Sequence, residues 1–181
     1  MIPVFVGSDS NWGHVEPLMR ASLLAHTDAD VDITFMRPES VGMRRAGCTG
    51  FTMTRFAVPE LCRERGYSHG IYIDVDMFLI ADIAELWTYR RSNVAQLADG
   101  SNEVSIWPAT LEMPSKAELH RFKKWDMKYP AANVIPLEWN CEDCDPAGAK
   151  LIHYTDLSRQ PWDVEREDSC VSAYRNSLDL V

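Results

Sequence analysis

The sequence predicts an α/β fold built on a largely parallel sheet with helices on its faces, and three observations predict it. Short apolar runs rich in β-branched and aromatic residues, at residues 2–6, 31–36 and 71–75, read as strands. Segments with helical spacing separate them, and a strand–helix–strand order implies parallel neighbours. Polar clusters follow three apolar runs: Gly7-Ser8-Asp9-Ser10-Asn11-Trp12, Asp74-Val75-Asp76 and His153-Tyr154-Thr155-Asp156. Ligands of such sheets sit outside the carboxyl ends of the strands, so these clusters form the candidate site.

Residues 2–6 open the chain as a core strand. Residues 16–26 follow as a helix, with Pro17 in its first turn and Leu18, Ala21, Ser22 and Ala25 along one face. Residues 31–36 alternate as a second strand. Residues 51–65 read as a helix interrupted by Pro59 and closed by Gly66. Residues 71–75 are the third strand, within an apolar run that continues to Ile80. Asp82 caps a short helix through Trp87. Residues 94–98 and 103–107 read as strands. A helix over 115–127 starts at Pro114-Ser115, with Glu118 as the capping-box partner. Short strands at 133–135 and 150–153 complete the pattern. With no internal repeat or linker, residues 1–181 read as one domain.

Composition narrows the function. The 181 residues are 46% hydrophobic, enough for a sizeable core, and no apolar run approaches the ~18 residues of a membrane span. The opening Met1-Ile2-Pro3-Val4 lacks a basic region and reads as a core strand rather than a signal peptide. Five cysteines without framework spacing suit a reducing compartment, so the expected location is cytoplasmic. Cys141-x-x-Cys144 is half of a zinc pattern, with His153 following it. The net charge of −9 argues against non-specific nucleic-acid binding and against anionic membranes. An anionic phosphate ligand would need local positive charge, from a metal or from arginines.

The acidic pair Asp74 and Asp76 is the most informative feature. On a strand, residues two apart share a face, so the carboxylates would stand side by side. At about 5 Å and an effective dielectric of about 20, they repel by roughly 3 kcal/mol. A hard divalent cation relieves that repulsion. At a wet strand end the repulsion falls, and Asp76 could instead begin a turn. His153 reads either as a hydrogen-bonded core histidine or, beside the acids, as a third ligand. Asp9 reads equally as a turn cap.

Four segments in order resemble family 8 glycosyltransferases, the glycogenin and lipopolysaccharide galactosyltransferase group. "VFVGSDSNW" (4–12) is similar to the family's first strand and nucleotide-binding turn, and "FTMTRFAVPEL" (51–61) to its helix carrying a basic residue. "IYIDVDMFLIADIAELW" (71–87) is similar to its D-x-D segment, and "LIHYTDLSRQPW" (151–162) to its closing H-Y-T-G-x-x-K-P-W. The resemblance implies a GT-A fold with a mixed central sheet, a nucleotide-sugar donor (usually UDP-linked), Mn²⁺ with Mg²⁺ as the alternative, transfer with retention, and a sugar, glycan or protein acceptor. It implies Asp74, Asp76 and His153 as metal ligands. It places Gly7, Ser8, Asp9, Asn11, Trp12, Arg55 and Val75 at the nucleotide, with Asp9 on uracil, Trp12 able to stack on the base and Arg55 near the donor. Asp99, in "VAQLAD", falls where an acid approaches the donor sugar.

The chain departs from the family in three places. Asp156 replaces a glycine, and Gln160 replaces the lysine that meets the pyrophosphate, leaving the neighbouring Arg159 to substitute. No D-Q-x-x-x-N segment is present, so the residue acting at the reacting carbon is unassigned. Arg44-Arg45 reads as a basic loop that could hold phosphate, and Glu103, Glu138 and Trp139-Asn140 as candidates for an acceptor pocket. Arg55 and Trp12 have plainer readings, as a solvated helix face and a loop-packing aromatic. Two rival functions share parts of this pattern. A haloacid-dehalogenase-type phosphatase also carries D-x-D, but wants Thr or Val where Phe78 stands. A shortened domain could bind a nucleotide sugar without transferring it, or act with a partner chain.

Overall fold

The computed structural model describes residues 1–45, 49–121, 133–143, 147–156 and 160–162. β1 (Ile2–Gly7) pairs in parallel with both β2 (Val31–Met36) and β3 (His69–Asp74). β6 (Ser105–Pro108) joins β3 antiparallel, β5 (Ala95–Leu97) joins β6 antiparallel, and β7 (Asn133–Ile135) joins β5 in parallel. The six-stranded order is β2-β1-β3-β6-β5-β7. A second, three-stranded sheet has the order β4-β9-β8, from Met77–Leu79, Leu151–His153 and Cys141–Glu142.

Strand alternation sorts the core onto two faces. Ile2, Val4 and Val6 of β1 pack with Met19 and Leu23 of α1 (Glu16–Ala25). Phe5 points the other way, toward Val58 and Cys62 of α2 (Val58–Arg65). Helices therefore cover both faces of a mixed sheet, the arrangement expected of the sequence. Burial pushes the Cys62 thiol up to about 12, which makes it an inert core residue.

Two predicted elements change character. The helix expected over 51–65 divides into a 3-10 segment, Thr52–Ala57, and α2. The division falls at Pro59, which lacks an N–H and is tolerated only in a first turn. Gly66, at φ 75°, closes α2 in the left-handed conformation that glycine adopts without strain. The apolar run 71–80 is not one strand. It turns at Val75-Asp76, and its second half leaves the main sheet to become β4.

Caps form where the sequence placed them. Asp82 Oδ1 accepts from Ala84 N at 2.8 Å at the start of α3 (Ile83–Trp87). Ser115 and Glu118 close the capping box of α4 (Lys116–Leu119). The remainder of the helix expected over 115–127 lies, from residue 122, outside the described residues.

Candidate functional site

β1 and β3 run parallel in register, Gly7 opposite Asp74, so the polar segments after both emerge at one sheet edge. Asp74 ends β3, and Asp76 completes the two-residue turn into β4. The two carboxylates are neighbours because the chain turns between them, not because a single strand continues. Val75 N–H donates to Gly7 O at 3.0 Å and ties the turn to β1. The small sheet brings in the third residue. β9 pairs antiparallel with β4, His153 opposite Met77, and Tyr154 N–H donates to Asp76 O at 2.9 Å.

Asp74, Asp76 and His153 are buried, and each offers a ligand atom within 4.8 Å of the others. Hard divalent ions hold oxygen at about 2.0–2.6 Å, so donors sharing one ion lie within about 4–5 Å of one another. The spacing fits a single ion. Asn140, before β8, sets the imidazole: His153 Nδ1 is 2.9 Å from Asn140 Oδ1. With Nδ1–H donating there, the neutral ring turns its Nε2 lone pair toward the acids. Nε2 lies 3.5 Å from Asp76 Oδ1, and that oxygen is buried without a hydrogen-bond partner among the described residues. A buried unsatisfied acceptor is costly, and a cation is what would satisfy this one. Burial opposes charge on the His153 ring, but Asp76 first, then Asp74 and Glu103, outweigh it and raise its pKa.

Asp74 has its own cation. Arg55, in the 3-10 segment and 1% exposed, places Nη2 3.2 Å from each Asp74 oxygen. Its Nη1 donates to Asn102 Oδ1 at 2.5 Å and lies 3.7 Å from Glu103 Oε1, and its guanidinium stacks 5.0 Å from the Tyr72 ring centre. Burial works against the guanidinium charge, while Asp74, Tyr72 and Glu103 together raise its pKa. Burial also raises the Asp74 pKa; Arg55 opposes this and Asp76 adds to it. Gly7 keeps space open here, because a Cβ at that position would overlap Tyr72 Oη.

The other expected residues fall into separate groups. Asp9 is fully buried; its Oδ1 accepts from Asn11 N at 2.8 Å, and Oδ2 pairs with Arg45 Nη2 at 2.7 Å. Ser8 Oγ donates to Glu16 Oε1 at 2.7 Å. Trp12 packs edge-on to Phe51 and Trp162, at 6.3 and 6.4 Å between ring centres. Gln160 is buried and donates to Tyr154 O at 3.1 Å. Asp99 lies in an exposed turn and accepts from Ser101 N at 2.8 Å. Arg159 and Cys144 lie outside the described residues. Glu138 pairs with Lys150 at 2.8 Å, and Trp139 is buried beneath that ammonium. Sequence reasoning missed Asn102, Tyr72 and the part Asn140 plays. Tyr72 carried a signal, an aromatic two residues before an acid on one strand face; the others depend on tertiary packing between distant segments.

No protein-family model matches the chain, and no curated protein does. Solved structures do. WbbM, a bifunctional glycosyltransferase, superposes with a TM-score of 0.71 at 16% identity, over 98% of this chain and 49% of its own. GlyE of Streptococcus pneumoniae, a glycosyltransferase, gives 0.65 at 11%, over 98% and 60%. LgtC, a galactosyltransferase captured with donor and acceptor sugar analogues, gives 0.59 at 14%, over 99% and 95%. The chain thus spans about half of WbbM and 60% of GlyE. Its mixed sheet, its helix-covered faces and this likeness together establish that the chain has the GT-A fold of glycosyltransferases.

Proposed function

We propose that this domain is a metal-dependent glycosyltransferase that takes a sugar from a nucleoside-diphosphate donor, most closely a UDP-sugar, and passes it to an acceptor hydroxyl. The observation that carries the reading is the buried Asp74–Asp76–His153 cluster at the carboxyl edge of the sheet, with an Asp76 oxygen that has no hydrogen bond among the described residues. Two carboxylates and an imidazole nitrogen suit Mn²⁺ better than Mg²⁺. When bound there, the ion supplies Lewis-acid stabilisation of the charge that develops on a leaving diphosphate. The chain's own groups do the rest. Asp74, Asp76 and His153 Nε2 orient the ion, Asn140 holds the imidazole tautomer, and Arg55 adds fixed positive charge beside the donor. The ordered motif resemblance supports family 8 membership and, with it, transfer with retention. WbbM, GlyE and LgtC, which share the fold, are glycosyltransferases.

A second reading is a domain that binds the nucleotide sugar without transferring it unaided. The missing D-Q-x-x-x-N segment favours it. A thermal-shift screen of nucleoside diphosphates with and without Mn²⁺ tests the shared core of both readings. A ligand at 100 times its Kd stabilises by about 2.7 kcal/mol, and UDP is expected to do so only with Mn²⁺. No Mn²⁺-dependent shift with any nucleotide would reject both. Slow Mn²⁺-dependent hydrolysis of a UDP-sugar separates them, since a transferase leaks sugar to water and a binder does not.

A further inference from the structure

Glu103 is the acid of the site that the metal cluster and the donor motifs leave unexplained. It precedes β6, and two more steps of the β3–β6 register beyond Tyr72↔Ser105 set it opposite Asp74. Like charges across a ladder repel, and here both are buried, at 5% and 9% exposure. Arg55 lies between them, Nη2 on both Asp74 oxygens at 3.2 Å and Nη1 3.7 Å from Glu103 Oε1. The Asn102 hydrogen bond and the Tyr72 ring hold the guanidinium so that it bridges the two acids.

The charges count as follows. Asp74, Asp76 and Glu103 supply three negative charges and Arg55 one positive. With His153 neutral, these four groups alone sum to two negative charges, which one divalent ion would offset. Asp76 Oδ1, buried and without a hydrogen bond among the described residues, marks where such an ion would bind. An ion there must share Asp74 with Arg55, and two cations on one carboxylate repel unless the guanidinium has another acid to hold.

We propose that Glu103 is a positioning residue of the metal centre: as the ion binds, Glu103 takes the guanidinium of Arg55 and frees Asp74 for coordination. Closing the 3.7 Å gap to the ~2.8 Å of a charge-assisted hydrogen bond needs a movement of only about 1 Å. The inference rests on the metal reading above and deepens it.

The test is calorimetric titration of the full chain with Mn²⁺ alone, for wild type, Glu103→Gln, Arg55→Lys and the double variant. Glu103→Gln is expected to weaken Mn²⁺ binding about tenfold, with the metal-free unfolding temperature unchanged. In the Arg55→Lys background the same change is expected to cost under about threefold, because a single ammonium cannot face both acids. Unchanged Mn²⁺ affinity in Glu103→Gln overturns the proposal. So does an equal loss in both backgrounds, which would make Glu103 a through-space charge only, and so does a loss matched by a lower metal-free unfolding temperature. If Arg55→Lys does not fold, Asn102→Ala replaces it in the cycle: non-additive losses with Glu103→Gln support the proposal, and additive losses overturn it. A wild-type chain that binds no Mn²⁺ overturns the metal reading itself, whereas one that binds Mn²⁺ and ignores Glu103→Gln overturns only this inference.

Discussion

Asp74 and Asp76 are two residues apart, yet the main sheet surrounds the first with partners and the small sheet leaves the second short of one. Asp74 ends a central strand, where Arg55, backed by Tyr72, Asn102 and Glu103, meets both of its oxygens. Asp76 Oδ1 lies 3.5 Å from the imidazole and is buried without a hydrogen bond among the described residues. The contrast teaches where binding capacity resides. A buried charge already compensated must be released before it can hold a ligand, while one left uncompensated lowers stability and is open to a cation.

The sharpest way to break this comparison is Asp76→Asn. Loss of this charge is expected to lower Mn²⁺ affinity by more than about 100-fold, since a direct ligand is worth at least as much as the residues supporting it. The same variant should stabilise the metal-free protein by about 1 kcal/mol, read by urea unfolding. A less stable variant with intact Mn²⁺ binding would reverse the roles assigned to the two acids.

His153→Ala comes next, with an expected 10- to 100-fold loss of Mn²⁺ affinity by calorimetry. Its pH signature is directional. The ring's raised pKa means that its protonation stabilises the metal-free fold below about pH 6.5, and this contribution is lost as pH rises through the folded pKa. Metal binding needs the neutral ring, so Mn²⁺ affinity should climb over that same interval and level off above it. That part of the climb should vanish in His153→Ala; a persisting one would assign it to another group.

Asn140→Ala sharpens the small-sheet half without touching a ligand. Freeing the Nδ1 side of the ring should cost about tenfold in Mn²⁺ affinity. An unchanged titration would leave the imidazole oriented by β9 alone. The smallest effect is the control. Ser115→Ala removes the α4 cap, whose oxygen accepts from Glu118 N at 3.3 Å. It should cost about 1 kcal/mol of stability or less and leave Mn²⁺ binding as it was.

Much of this architecture was legible from residue order. The strand at 31–36, the Asp82 and Ser115 caps and the Gly66 stop each follow from local chemistry that tertiary contacts do not override. The acids and His153 were legible as types of residue at strand ends. A turn at Asp76 was legible as one alternative, but the departure of the run's second half into another sheet was not, because periodicity cannot show a strand leaving one sheet for another. Glu103 and Asn140 read from sequence as acceptor-pocket residues, whereas the structure sets them beside Arg55 and His153. Their partners are brought in by tertiary packing that composition and spacing do not encode: Arg55 comes from the 3-10 segment, and His153 from the β8–β9 pairing. Asp9 is both a turn cap and an ion-pair partner of Arg45, so the turn reading held for one oxygen and left the other unforeseen.

The most direct measurement is anomalous diffraction from crystals of the full chain grown with Mn²⁺ and UDP. One manganese peak is predicted, within coordination distance of Asp74, Asp76 and His153 Nε2 and touching the diphosphate. A peak that avoids these three side chains, or UDP held at the sheet edge with no metal beside it, would contradict the account.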